Sequence, residues 1–303
     1  MRVLIPFAIG DSNLTASNLA ENDYGAWDAG TAYVADDYVI STTSHSVYVC
    51  IAPTTGDDPD ADAGNTYWLR VGATNRWKAF DQLISDPAVG VASGTITYTL
   101  GALGVPANAV TCFGLAGTSI SLVVTDAVDG EVYSETVSLI DTSLINDAFA
   151  YCFEPSRVKT EAVFADIPPY AQAEFAIVLA ASAGNVPQLG QIAIGQEYIL
   201  GVTNFGTNVS IEDYSIKDTD DWGNHIIVER PFAKLIDFDF VTLTAQARRT
   251  ALLLETVRAR PAVYFADTGT EQFGTTVYGF FKNWNITLQA TYSPVTLEVE
   301  GLT

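Results

Sequence analysis

Ser119-Ile-Ser-Leu-Val-Val-Thr125, followed by Asp129-Gly130 and then Glu131-Val-Tyr-Ser-Glu-Thr-Val-Ser-Leu139, is the stretch whose reading decides the fold. Side chains alternate polar and apolar with period two in both runs, and β-branched residues dominate them, so each presents one face to a core. An Asp-Gly pair between two such runs is a hairpin signal, because both central positions of a tight turn need positive φ. Working outward, Gly94-Thr-Ile-Thr-Tyr-Thr-Leu100 and Glu174-Phe-Ala-Ile-Val-Leu-Ala180 repeat the alternation. Strands at short spacing predict a β-sandwich over 73–207.

Beyond the sandwich, residues 243–260 hold apolar positions at helical spacing, with Arg248, Arg249, Arg258 and Arg260 outside that stripe and Pro261 ending it. Strands are expected again over 262–265, 277–281, 284–289 and 295–300, so 208–303 reads as a β domain with one helix. The polar run 217–225 is expected as a turn, with Trp222 tucked against a neighbour. At the other end, Met1-Arg-Val-Leu-Ile-Pro-Phe-Ala-Ile-Gly10 is too brief and lacks a small-residue cleavage site, and it reads as a strand rather than a signal peptide. Residues 1–72 thus comprise an N-terminal strand plus a small aromatic-rich module.

Composition narrows function. The 303 residues carry 36 Asp+Glu against 14 Lys+Arg, a formal charge of -22, which repels phosphate backbones and anionic membrane surfaces. Nucleic acid is not an expected partner, and no apolar run approaches the roughly 20 residues of a membrane span. Cys50, Cys112 and Cys152 lie in apolar runs without metal-type spacing, which predicts buried free thiols. His45 and His225 are the only histidines and form no zinc or acid-base spacing. Asp58, Asp60 and Asp62 alternate as in a calcium loop, but Gly64 comes one residue late and Leu69 stands where a closing Glu belongs, so a solvated acidic turn is expected. Phosphate loops, dinucleotide fingerprints and nucleophile elbows are missing. With this many acids a glycosidase pair is never excluded by sequence, and Asp218, Asp220 and Asp221 beside Trp222 are the available cluster. We expect no catalytic residues, no metal and no cofactor.

Residues 24–81 crowd three of the five Trp into a polar segment. Trp27, Tyr33, Asp37, Val39, Tyr48 and Trp68 before Val71 resemble the short carbohydrate-binding modules of chitinases, with Asp36 where that family has glycine. The resemblance implies a small twisted β-module on which Trp27 and Tyr33 stack on a sugar and Asp37 meets its hydroxyls; the alternative, that these aromatics are the module's own core, stays open. Tyr48 and Trp68 read as core.

Directly after the module, Asn75-Arg-Trp-Lys-Ala-Phe-Asp81 leads into the sandwich as in tail proteins of tailed bacteriophages, and Glu21-Asn-Asp-Tyr24 fits the same arrangement. Asp221-Trp-Gly-Asn224, Glu229-Arg-Pro231, Val277-Tyr-Gly-Phe280 and Leu297-Glu-Val-Glu-Gly-Leu302 resemble siphovirus-type tail-tip proteins. The resemblance implies a structural virion protein of a tail tip or baseplate, assembled in the host cytoplasm among other tail proteins, in several copies or as a homo-oligomer. Its module would contact a host-surface glycan or attach a fibre, and Arg248, Arg249, Arg258 and Arg260 would face an acidic neighbour. Two alternatives accompany this reading: a virion-associated glycan hydrolase, and an architectural subunit without sugar binding. The expected fold is mainly β, in three parts: the small module, the central sandwich and the C-terminal β domain with its helix.

Overall fold

A computed structural model describes residues 1–141, 145, 147–153, 157–204, 206–219, 222–266 and 274–302, with the side chains of 148, 150 and 152 outside the description. The chain is mainly β, as the alternation requires. The deciding hairpin forms from Ser119–Asp126 and Gly130–Ser138, paired antiparallel, with Gly130 at φ 77° and the Asp126 carboxylate accepting the N–H groups of Val128 and Asp129 at 2.8 and 3.2 Å. These strands belong to a five-stranded antiparallel sheet with Glu174–Ala180, Thr95–Leu100 and Leu14–Ser17.

The larger sheet has ten strands. Its order is Glu161–Phe164, Ala109–Phe113, Gln191–Ile199, Arg2–Pro6, Ala262–Phe265, Val277–Ile286, Tyr292–Gly301, Phe232–Leu243 and Val202–Thr203, with Asn208–Asp213 also paired to Phe232–Leu243. All pairings are antiparallel. Here the structure departs from the three expected parts. The N-terminal strand, assigned to residues 1–72, sits between Gln191–Ile199 and Ala262–Phe265, and strands from both sides of the 207/208 boundary hydrogen-bond in this one sheet. Backbone partners some two hundred residues apart leave no local mark in sequence, as the bond from the Met1 amino group to Gly201 O at 2.8 Å illustrates.

One face of the large sheet is covered twice. At one end Val110, Cys112, Phe164, Ile192 and Ile194 pack on Ile96, Tyr98, Ile120, Leu122, Phe175 and Ile177 of the five-stranded sheet, which makes the sandwich. At the other end the helix Ala247–Val257 lays Leu254 and Val257 on Val3, Phe238, Phe240, Tyr264 and Leu297. The helix is shorter than the expected 243–260, since a 3-10 turn occupies Thr244–Gln246. A second helix, Ala148–Phe153, was not expected, and the Cys152 thiol lies outside the described side chains. Cys50 and Cys112 are buried and free.

The opposite face curls on itself. Lys234, on the next-to-last strand in the order, brings Nζ within 3.2 Å of both oxygens of Glu161 on the first strand, and the Phe113 and Tyr278 rings stack inside at 5.8 Å. Burial raises the Glu161 carboxyl while Lys234 pulls it back. Glycine permits the backbone approach at two points of this sheet: a Cβ on Gly195 would lie 2.0 Å from Ile5 O, and one on Gly279 1.9 Å from Glu300 O.

Candidate functional site

The aromatic segment folds as a three-stranded antiparallel sheet of Tyr38–Ser41, Ser46–Cys50 and Trp68–Ala73, beside the short pair Ala32–Tyr33 and Thr54–Thr55. Residues 25–27 run along the first strand, with Trp27 N–H donating to Ile40 O and Ile40 N–H to Gly25 O, both at 3.0 Å. Apolar residues on one side of the sheet close a small core of Tyr33, Val39, Tyr48, Cys50 and Trp68. Tyr33 is therefore not a stacking platform. Its ring meets Trp68 edge-on at 5.1 Å and its hydroxyl accepts Asp28 N–H at 2.9 Å. Trp27 is half-buried against the same core. Asp37 has a backbone job as well: Oδ2 accepts Val34 N–H at 2.8 Å and holds the turn. The departure from the chitinase pattern falls within that turn, with Asp36 at φ 72°, the left-handed region where glycine is relaxed and aspartate is tolerated.

The acidic loop is tied down by its own carboxylates. Asp62 accepts the N–H groups of Thr66, Tyr67 and Trp68 at 3.0, 2.7 and 2.9 Å, which lowers its pKa. Burial pushes Asp60 up, but hydroxyls of Ser41, Ser44 and Tyr48 outweigh it and hold the carboxyl below its ordinary value. Asp57 accepts from Thr54 Oγ1, and Trp68 Nε1 donates to Asp57 O at 2.9 Å. Among the described residues, no three His, Cys, Asp or Glu side chains converge as a metal set.

The module's exposed aromatics are two that the sequence did not mark as binding residues. Tyr24 and Tyr38 stack at 4.9 Å with ring planes 22° apart, and they stay 46% and 43% exposed. Tyr38, Val49 and Leu69 are cross-strand partners, so they share the outer face, and Leu69 and Val71 are exposed there or beside it. Register could have found this: Val39 pairs with Tyr48 inside, so Tyr38 one residue earlier must point out.

The joint is rigid. Asn75 donates from Nδ2 to Val89 O at 2.8 Å and accepts Val89 N–H at 2.7 Å. His45 stacks on buried Trp77 at 4.1 Å, with Nδ1 2.8 Å from Glu21 Oε1 and Nε2 2.8 Å from Asp11 Oδ1. Trp77, Phe80 and Tyr98 then meet edge to face at 5.9 and 5.5 Å, leading into the sandwich core. Asp11, Glu21 and His45 thus clamp three chain segments beside the module. Neither carboxylate had been connected with His45 from sequence, because their separations of 34 and 24 residues obey no motif.

Arg248, Arg249, Arg258 and Arg260 are all exposed, and none forms an ion pair with another described residue. Asp218 lies exposed on the two-stranded hairpin of Ile216–Thr219 and His225–Val228, while Asp220 and Asp221 fall outside the described residues. Trp222, expected to be tucked away, is 87% exposed. A cavity of about 290 Å³ opens at the curl, floored by Phe113, Tyr278 and Leu302 with Lys234 and Glu161 on its wall. No helix of the described residues is long and apolar enough to cross a membrane. Compared with protein-family models, curated proteins and solved structures, the chain matches none of them.

Proposed function

We propose that this chain is a structural subunit of the tail tip or baseplate of a tailed bacterial virus, carrying a small module that contacts host-surface glycan. The observation that carries the binding part is the exposed Tyr24–Tyr38 stack on a module whose remaining aromatics are consumed by its own core. A pyranose presents an apolar face of C–H groups that such rings desolvate, while an exposed carboxylate such as Asp36, two residues before Tyr38 in the chain, accepts a hydroxyl. The platform is shallow, so a single site binds weakly, and several copies in one particle convert weak sites into avidity. The motif order that resembles tail-tip proteins supports the virion setting, as does an acidic surface that keeps a many-copy protein soluble.

The test is a glycan array followed by titration of the hits, on the full chain and on Tyr24→Ala and Tyr38→Ala. Each substitution removes one member of the stack and should weaken binding about tenfold, the worth of roughly 1.4 kcal/mol of stacking. Unchanged sugar binding in both variants sinks the platform. A chain that binds no glycan, yet captures a tail fibre through the same tyrosines, replaces the glycan by a neighbouring protein. Release of sugar products from host polysaccharide would revive the hydrolase reading.

A further inference from the structure

We propose that the cavity inside the curl of the large sheet is a binding site for an uncharged aromatic ring that carries one hydroxyl, a small phenol in its simplest form. The cavity measures about 290 Å³ and shares no residue with the Tyr24–Tyr38 platform. Packed interiors keep few voids larger than a water molecule, and an apolar cavity of about 150 Å³ takes up benzene, so this one has room for a substituted ring.

The lining calls for the ring. Phe113 and Tyr278, both buried, stack at 5.8 Å with planes 27° apart, and Ile84, Val277 and Leu302 continue the apolar wall. Phe232, which also lines the cavity, is 56% exposed and offers surface that a bound ring covers. A flat aromatic molecule packs offset or edge-on against such rings and has little conformational freedom to lose.

Hydrogen bonding calls for the hydroxyl. Lys234 Nζ reaches Glu161 Oε1 and Oε2 at 3.2 Å each and Thr276 O at 2.7 Å, so every N–H of the ammonium has an acceptor and none is left for an anion. The Glu161 oxygens keep lone pairs beyond the Lys234 contacts, so this part of the wall accepts. Thr276, fully buried in the lining, has an Oγ1 without a partner. Glu161 and Thr276 meet at the same ammonium, which places them close enough for one ligand hydroxyl to donate to the carboxylate and accept from Thr276. The alternatives fit less well. A carboxylate on the ring would face Glu161 with no free donor, and a cation would compete with Lys234 already in place. A sugar would bury several hydroxyls against a mostly apolar lining and leave them unpaired.

Titration of the full chain with p-cresol, toluene and 4-methylbenzoate, followed by saturation-transfer NMR, tests the site, with circular dichroism and urea midpoints as folding controls. p-Cresol should saturate with a Kd of about 0.1 to 1 mM, toluene should bind at least about tenfold more weakly for want of the hydroxyl, and 4-methylbenzoate should not bind. Thr276→Val keeps the shape of a side chain whose oxygen has no partner, so it should fold as wild type, weaken p-cresol about fivefold and leave toluene unchanged. Leu302→Trp fills the cavity and should abolish p-cresol binding. Failure of p-cresol to saturate, equal affinity for p-cresol and toluene, binding of 4-methylbenzoate, or a p-cresol affinity unaltered in either folded variant overturns the proposal. Should Leu302→Trp not fold, Thr276→Val and the three probes decide alone.

Discussion

Asp81, which closes the joint, should make the folded chain lose stability as pH rises through the range where most carboxylates have finished titrating. It ends the 3-10 turn Lys78–Phe80, with Oδ1 accepting Leu83 N–H at 2.9 Å and Oδ2 buried without a partner. Burial, reinforced by the nearby Asp86 charge and only partly relieved by the Leu83 N–H, Lys78 and Arg70, pushes its pKa up to about 6. An unfolded aspartate titrates near 3.9. Below about pH 4 the group is protonated in both states and costs nothing. Between about 4 and 6 the folded chain holds a proton that the unfolded chain has released, so unfolding gains with rising pH, and above about 6 the penalty is complete.

The gap of about 2 between folded and unfolded pKa corresponds to about 3 kcal/mol, and because Asp81 is only half-buried we expect about 2 kcal/mol at pH 7. Asp81→Asn keeps an oxygen for Leu83 N–H and removes the charge. It should therefore be more stable than wild type by about 2 kcal/mol at pH 7 and equal to it at pH 4. Urea denaturation followed by tryptophan fluorescence reads this directly, since Trp77 lies buried in the same joint. Comparing variant with wild type at each pH cancels the other acids. A stability difference that is the same at both pH values, or a variant weaker at pH 7, refutes the assignment of the strain to this carboxylate.

Two further substitutions probe the large sheet. Gly279→Ala places a methyl 1.9 Å from Glu300 O and 2.8 Å from Gly301 Cα, both backbone, so the strands must separate at a loss of at least about 3 kcal/mol, seen as a lowered urea midpoint and poor soluble yield. Lys234→Met strands Glu161 with its charge largely buried and should cost about 2 to 3 kcal/mol, whereas Lys234→Met with Glu161→Gln should recover most of that in the same titration. No recovery in the double variant would mean that Lys234 acts through its bond to Thr276 O instead.

How much was legible follows the range of the interactions. Strands announced themselves wherever one face was buried: Ser119–Asp126 and Glu174–Ala180 alternate with period two in burial as they do in sequence. The helix was legible from its stripe and from Pro261. The sheet order was not, because Arg2 pairing with both Ile199 and Phe265 depends on partners that no local pattern names. The candidate site divides in the same way. Tyr48 and Trp68 were placed correctly as core, since aromatic residues within strand-like runs have little surface to occupy. Tyr33 was left open between platform and core for a reason of parity: its two-residue strand is too short to show alternation, and it turns the ring inward onto Trp68.

The joint decides what the tyrosine platform can do. A module on a loose tether would lose orientational entropy on every contact, whereas Asn75 clasping Val89, and His45 sandwiched between Glu21, Asp11 and Trp77, fix residues 24–73 against the sandwich before any ligand arrives. Each copy then presents Tyr24 and Tyr38 in one fixed direction. In an assembly of several copies, that direction would repeat around the assembly. On the proposed glycan-binding reading, a repeated, weak platform facing densely spaced glycans would gain avidity without any single site becoming tight. The division of labour follows from packing: the curled sheet, held by contacts distant in sequence, gives the stiff frame, and the module, held by its own small core, is free to vary its outer face without disturbing that frame.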